Sequence, residues 1–229
     1  MLKLLPLTCT FILFFTNDAP SQNSTATAPV NVTVTDINRK PRKGDIIIFR
    51  GKTNRKIFKM STDANGKFSI HLPAGDNYFI TIKNLNDTTH YGELNIPAPG
   101  EGEFYSEPFK INIEYEPART FTLDNVQFDF GKASLRPESY PELQELLDYM
   151  QLKEDTRIEI AGHTDNIGND MDNLKLSEQR ANAIRSWLIK KGIAPGRIIA
   201  KGYGAAQPLS DNNTEEGRRL TRRTEVRIL

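Results

Sequence analysis

Along the first half of the chain, hydrophobic and polar positions alternate. Val30, Val32 and Val34 fall on one side of an extended chain and Asn31, Thr33 and Thr35 on the other, which predicts a half-buried strand. The turn residues Asn38 to Pro41 follow, then the apolar runs Ile46-Ile47-Ile48-Phe49 and Ile57-Phe58, then the turn Asp63-Ala64-Asn65-Gly66. Phe68, Ile70 and Leu72 alternate again; Pro73-Ala74-Gly75 turns the chain, and Tyr78, Ile80 and Ile82 alternate in their turn. Tyr91–Ile96 and Phe109–Tyr115 are the last short runs. Short strands punctuated by turn signals predict an all-β sandwich over residues 30–116. Asp63-x-Asn65-Gly66 lacks the further ligands of a calcium loop and reads as a hairpin turn.

Beyond Pro117 the period changes. Val126-Gln127-Phe128 reads as a strand. Ser139-x-x-Glu142 has the form of a capping box, and Leu143, Leu146, Leu147 and Met150 recur at helical spacing after it. Arg157–Gly162 reads as a strand. Ala181, Ile184 and Leu188 mark a second helix with Gly192 just past its end. Ile198–Ala200 and Val226–Ile228 are strands. The fold class expected is α+β: the sandwich, then β-α-β-α-β-β over residues 117–229 with helices packed on a mixed sheet.

The N-terminus breaks both patterns. Lys3 precedes the apolar run Leu4–Phe15, too short for a membrane span, and Ala19-Pro20-Ser21 resembles a cleavage site. Residues 1–21 are therefore expected to be a signal peptide, with a small polar linker over 22–29. Cys9, the single cysteine, lies inside the apolar run rather than after it, which argues against lipid attachment. The mature chain then has no disulfide, thiol nucleophile or zinc–thiolate site.

Charge narrows the function. The chain carries 30 Lys and Arg against 29 Asp and Glu. Residues 30–116 hold 12 basic and 11 acidic side chains, and residues 117–229 hold 17 of each. Neither half has the basic excess of a nucleic-acid binder. Within the sandwich the signs separate: Arg39–Lys59 has nine basic residues and one acidic, whereas Asp87–Glu116 has seven acidic and one basic. This reads as two solvated faces, or as a basic hairpin meeting an anionic partner. His163 and Asp165 lack a third metal ligand nearby, and no cofactor fingerprint is complete, since Gly202-Tyr203-Gly204 is followed by Gln207-Pro208. His163, Asp165 and Ser177 supply triad residue types without a nucleophile elbow, so no catalytic residue is assigned.

The informative stretch runs from Gly162-His163-Thr164-Asp165 to Asn173-x-x-Leu176-Ser177-x-x-Arg180. Ser177 reads as a helix N-cap, with Arg180 in the first turn. A cation there opposes the helix dipole and suggests a partner anion, internal or from a ligand. Asp165, at a strand end, and Arg180 suit either a zwitterionic ligand or an ion pair with each other.

Two resemblances add to this reading. Thr62-Asp63-x-Asn65-Gly66-Lys67-Phe68, followed by Leu72-Pro73-Ala74-Gly75 and Tyr78-x-Ile80, resembles the carboxypeptidase regulatory-like, transthyretin-like sandwich modules, which are generally non-catalytic. Phe128-Asp129-Phe130, Gly162–Asp165, Leu176-Ser177-x-x-Arg180-Ala181, Gly192-Ile193-x-x-x-Arg197-Ile198, Gly202-Tyr203-Gly204 and Gly217-Arg218-x-x-x-Arg222-Arg223-x-Glu225 resemble the OmpA-like domain. Peptidoglycan-associated lipoproteins and flagellar stator proteins share that domain. The resemblance covers residues 118–229 and implies non-covalent binding of the diaminopimelate in the peptidoglycan stem peptide. Asp165 would hold its ammonium and Arg180 its carboxylate, with Thr164, Asn173, Arg222 and Asp129 lining the site. Thr221 departs from the pattern, standing where Asn usually precedes the paired arginines. The protein expected is a non-enzymatic periplasmic tether between the outer membrane and the wall, without cofactors. A further envelope protein could dock on the sandwich. The alternative is an adaptor whose sandwich binds a protein or glycan while the second domain localises it.

Overall fold

The computed structural model describes residues 13–15, 26–85, 88–129 and 131–229, the first of these as backbone only. The chain forms two compact units that divide at Pro117.

In the first unit, β1 (Leu13–Phe15) pairs antiparallel with β8 (Glu103–Tyr105). The rest of the expected signal peptide, with Cys9 and Ala19-Pro20-Ser21, lies outside the described residues. β2 (Thr27–Thr35) starts three residues before Val30 and takes in the end of the expected linker. Ala28 explains why: it is fully buried and pairs with Leu72, so the hydrophobic alternation already begins there. β3 (Ile46–Gly51), β4 (Ile57–Ser61), β5 (Lys67–Pro73), β6 (Asp76–Lys83), β7 (Thr88–Ile96) and β9 (Phe109–Glu114) complete the unit.

Two sheets result. β2 lies between antiparallel β5 and parallel β9; the other sheet has the antiparallel order β4-β3-β6-β7. One core joins them: Val30, Val32, Val34, Leu72, Ile111 and Ile113 from the first sheet, and Ile47, Phe49, Tyr78, Ile80, Ile82 and Leu94 from the second. Burying each such side chain contributes about 1.5–3 kcal/mol.

The turn at Asp63–Gly66 is as tight as expected. Gly66 has φ +70° and the Asp63 carboxylate accepts the N–H groups of Asn65 and Lys67. It is not a hairpin within one sheet, however. β4 and β5 belong to different sheets, so the turn is the corner where the chain crosses the core. The charge segregation is partly closed in space, because Lys52 Nζ lies 2.8 Å from Glu93 Oε2.

The second unit contains β10 (Thr120–Thr122), α1 (Tyr140–Leu152), β11 (Ile158–Gly162), α2 (Asp170–Lys190), β12 (Ile198–Gly202), α3 (Glu215–Thr221) and β13 (Thr224–Ile228). Its sheet has the order β10-β13-β11-β12, with β11 and β12 parallel and the other pairs antiparallel. The mixed sheet was expected, but α3 between β12 and β13 was not, and the first strand is not where expected. Val126–Phe128 forms only an isolated bridge from Phe128 to Leu135, and the edge strand is β10. The capping-box residues serve that loop instead. Ser139 Oγ both accepts from Gln127 N and donates to Gln127 O, while Glu142 accepts the N–H groups of Asp124 and Asn125. Ser139 makes no side-chain cap of α1. Among the described residues no helix is long and apolar enough to cross a membrane.

Candidate functional site

Two glycines set the frame. A Cβ on Gly162 would sit 2.3 Å from the Ser177 carbonyl oxygen, and one on Gly202 would sit 2.5 Å from Glu178 N. Bare backbone at the ends of β11 and β12 therefore lets α2 lie directly on the sheet. Ser177 is fully buried in this contact: its hydroxyl donates to Leu174 O at 2.7 Å and accepts from Gly204 N at 2.9 Å.

Ser177 is thus not the helix cap. α2 begins two turns earlier with Asn169 as N-cap, whose side chain accepts from Met171 N and Asp172 N. Asp170 and Asp172 complement the dipole in the first turn. Arg180 lies mid-helix, so the argument from an unfavourable cation at the helix start does not hold. Something else must explain that side chain.

The loop leaving β11 is held from several sides. His163 N donates to Arg223 O and Thr164 N to Gly204 O. Asn173 Nδ2 donates to the carbonyls of Asp165 (3.3 Å) and Ile167 (3.0 Å), and Asp165 Oδ1 accepts from Ile167 N. Asn173 therefore acts as a buttress, shaping the loop that presents Asp165. Thr164 is buried, and its hydroxyl has no hydrogen-bond partner among the described residues.

Asp165 does not pair with Arg180. Its Oδ2 accepts from Arg222 Nη1 at 2.6 Å, and Arg222 Nη2 donates to Glu215 Oε1 at 2.8 Å. Those two carboxylates raise the Arg222 pKa, Glu215 foremost. α3 carries this arrangement: Thr214 caps its start by accepting from Gly217 N, and Arg222 closes its end. Among the described residues Arg180 is held without any acid. Its Nε donates to Lys132 O at 3.1 Å and its guanidinium lies over the Phe128 ring, 5.1 Å from the centroid. Burial and the neighbouring Arg222 lower the Arg180 pKa, and Asp165 opposes them.

Six residues were expected at the site. Asp165, Arg222 and Arg180 form one charge cluster, Asn173 supports it, and Thr164 adjoins it. Asp129 stands apart: its carboxylate faces Arg136 at 3.5 Å and is half exposed. It reaches the site only through its loop, which also carries Phe128 and Lys132; Phe130 lies outside the described residues. Glu215, Phe128 and the Lys132 carbonyl are site members that the residue-by-residue reading missed. The i, i+7 spacing of Glu215 and Arg222 after the cap signal of Thr214 could have shown the first.

Thr221, the departure from the expected pattern, is fully buried, its hydroxyl without a partner among the described residues, so it does not face a ligand from the surface. Among the described residues no group of three His, Cys, Asp or Glu side chains could hold a metal. Beneath the loop, His163 is buried and stacks on Tyr203 at 5.3 Å with 9° between the planes. Its Nε2 lies 3.6 Å from Glu225 Oε2, too far for a hydrogen bond. Burial, reinforced by Arg223 and Arg227, pushes its pKa down to about 4 against the pull of Glu225.

A match to the OmpA family runs from residue 127 to residue 222, across every member of this charge cluster. Residues 127–222 form an OmpA family domain. The chain is 46% identical over 104 residues to outer membrane porin F of Pseudomonas fluorescens, a stretch that is 45% of this chain and 32% of the porin. It is 37% identical over 101 residues to the peptidoglycan-binding protein ArfA of Mycobacterium bovis, covering 44% of this chain and 31% of that protein. The solved peptidoglycan-associated lipoprotein of Burkholderia pseudomallei is 27% identical with a TM-score of 0.43, and the likeness covers 49% of this chain and 91% of the other. The chain thus spans about a third of the length of the curated relatives named here, sharing with them the OmpA family domain rather than the whole protein.

Proposed function

We propose that this protein binds peptidoglycan non-covalently and tethers the cell envelope to the wall. Its OmpA family domain grips the diaminopimelate of the stem peptide. One observation carries the reading: Arg180 is a partly buried guanidinium with no ion pair among the described residues, beside an Asp165 whose carboxylate is fixed by Arg222 and by the loop backbone. A free end of diaminopimelate brings one carboxylate for the first and one ammonium for the second. The name of one similar protein, a peptidoglycan-binding protein, supports the wall as ligand. The Leu4–Phe15 run and the outer-membrane relatives support export to the periplasm and a place at the outer membrane. The site has no assigned nucleophile or acid–base pair; the function is binding, not turnover.

The chemistry is that of charge-assisted hydrogen bonds. Phe128 and the Lys132 carbonyl hold the Arg180 guanidinium in place before the ligand arrives, which lowers the entropy lost on binding. The test is co-sedimentation of the full chain with diaminopimelate-type sacculi. Arg180→Ala and Asp165→Ala should each reduce binding about tenfold or more, since a charge-assisted hydrogen bond contributes about 1.5–3 kcal/mol. Free diaminopimelate should compete and lysine should not, because lysine lacks the second carboxylate. Binding by a folded Arg180→Ala chain equal to that of the unaltered protein would refute the site.

A further inference from the structure

Arg222 has two acidic neighbours where the site needs one. Its guanidinium presents Nη1 to Asp165 at 2.6 Å and Nη2 to Glu215 at 2.8 Å. The carboxylates differ. The Asp165 side chain is 12% exposed and belongs to the loop built around it, whereas that of Glu215 is 67% exposed and projects from the first turn of α3. Glu215 also accepts from Arg218, which keeps it on this side of α3; its neighbour Glu216 pairs with Arg219 instead. Of two adjacent acids, one reaches the cluster.

We infer that Glu215 is a built-in competitor for the ligand's carboxylate: it occupies the free edge of Arg222 and so weakens the site for anions that bring no ammonium. The inference rests on the proposed binding of a zwitterionic end group. Three arguments support it. The Nη2 donor of Arg222, which would join Arg180 in holding the ligand carboxylate, is already in use. The contact is exposed, hence weak and screened, so a ligand carboxylate can displace it. Glu215 also sets the local charge: Asp165 and Glu215 face Arg180, Arg218 and Arg222, one net positive charge, which rises to two without Glu215 and then draws a simple anion more strongly.

The experiment compares the full chain with its Glu215→Gln, Glu216→Gln and Arg180→Ala variants, by calorimetry with two free probes and by sacculus co-sedimentation. The probes are meso-diaminopimelate and pimelate, the same dicarboxylate chain without the ammonium groups. Glu215→Gln should bind pimelate about fivefold or more tightly, gain less with diaminopimelate, and show a steeper loss of pimelate binding with salt. Glu216→Gln should match the unaltered protein. Equal or weaker pimelate binding by Glu215→Gln overturns the inference and makes Glu215 an orienting or merely solvated group. Arg180→Ala keeps the two ideas apart. If it binds sacculi normally, the proposed site is wrong; if it loses binding while Glu215→Gln gains nothing, only the competitor role falls.

Discussion

Each unit contains an arginine–aspartate cluster, and the two are built to opposite ends. In the first unit, Arg42 Nε lies 2.5 Å from Asp45 Oδ2, the Tyr115 hydroxyl donates to the same oxygen at 2.6 Å, and the Arg42 guanidinium covers the Tyr115 ring at 4.9 Å. Thr62 Oγ1 accepts from Asp45 N and donates to Arg42 O. Burial and the Asp45 charge push the Tyr115 pKa far up, so the phenol stays a donor. Every group at that cluster has a partner inside the unit. In the OmpA family domain Asp165 and Arg222 are satisfied in the same way, but Arg180 is left with a carbonyl and a ring face. A closed cluster fastens strands together; an open one keeps one charge for something else. The difference lies in whether the last cation is given an acid, not in how many charges are gathered.

The comparison can be broken most severely through the scaffold. Gly162→Ala places a methyl against the Ser177 carbonyl and must lift α2 off the sheet. A loss of about 3 kcal/mol is expected, seen as a lower melting temperature of the second unit and weaker sacculus binding together. Next comes the closed cluster. Asp45→Ala leaves Arg42 largely buried without its acid and should cost the first unit about 3 kcal/mol, with sacculus binding unchanged. The matching Asp165→Ala should show the reverse balance, because Arg222 is 38% exposed and keeps Glu215.

A third test uses pH. The His163 pKa is depressed to about 4 in the folded protein, against about 6.5 unfolded. Above pH 6.5 neither state is protonated and stability is intact. As pH falls from 6.5 to 4 the unfolded chain takes up the proton first, so stability drops by up to roughly 3 kcal/mol over that window. Denaturant melts should show this slope, and His163→Asn should flatten it. Arg180→Ala sharpens the contrast at the open cluster. Beside its tenfold binding loss, stability should change by about 1 kcal/mol or less, since one hydrogen bond and one ring contact are removed. The smallest effect belongs to the surface of the first unit. Lys52→Glu breaks an exposed pair with Glu93 and should cost under about 1 kcal/mol, less at high salt.

Much of the fold was determined by residue order alone. Val30, Val32 and Val34 point into the core because a strand has period two, and Leu143, Leu146, Leu147 and Met150 are buried because a helix repeats near three and four. Gly192 ends α2 at φ +102°, as its position after the last apolar residue predicts. The start of α2 was hidden for a physical reason. Its buried face there is polar, with Asn173 and Ser177, while Met171 and Leu174 are exposed, so the stripe that reveals a helix begins only at Ala181. Val126–Phe128 has strand-like alternation, yet the hydrogen bonds of Gln127 go to Ser139 and the neighbouring N–H groups go to Glu142. A local pattern cannot show that competition. Asp165 and Arg180 could be singled out from the chain, but not the partner Asp165 would take. Two arginines lie 15 and 57 residues downstream, and the choice of Arg222 depends on α3 closing over the loop while Phe128 and Lys132 hold Arg180 back. Which charge is paired within the fold and which is left without an acid among the described residues is settled by distance in space, and only the packed structure sets that distance.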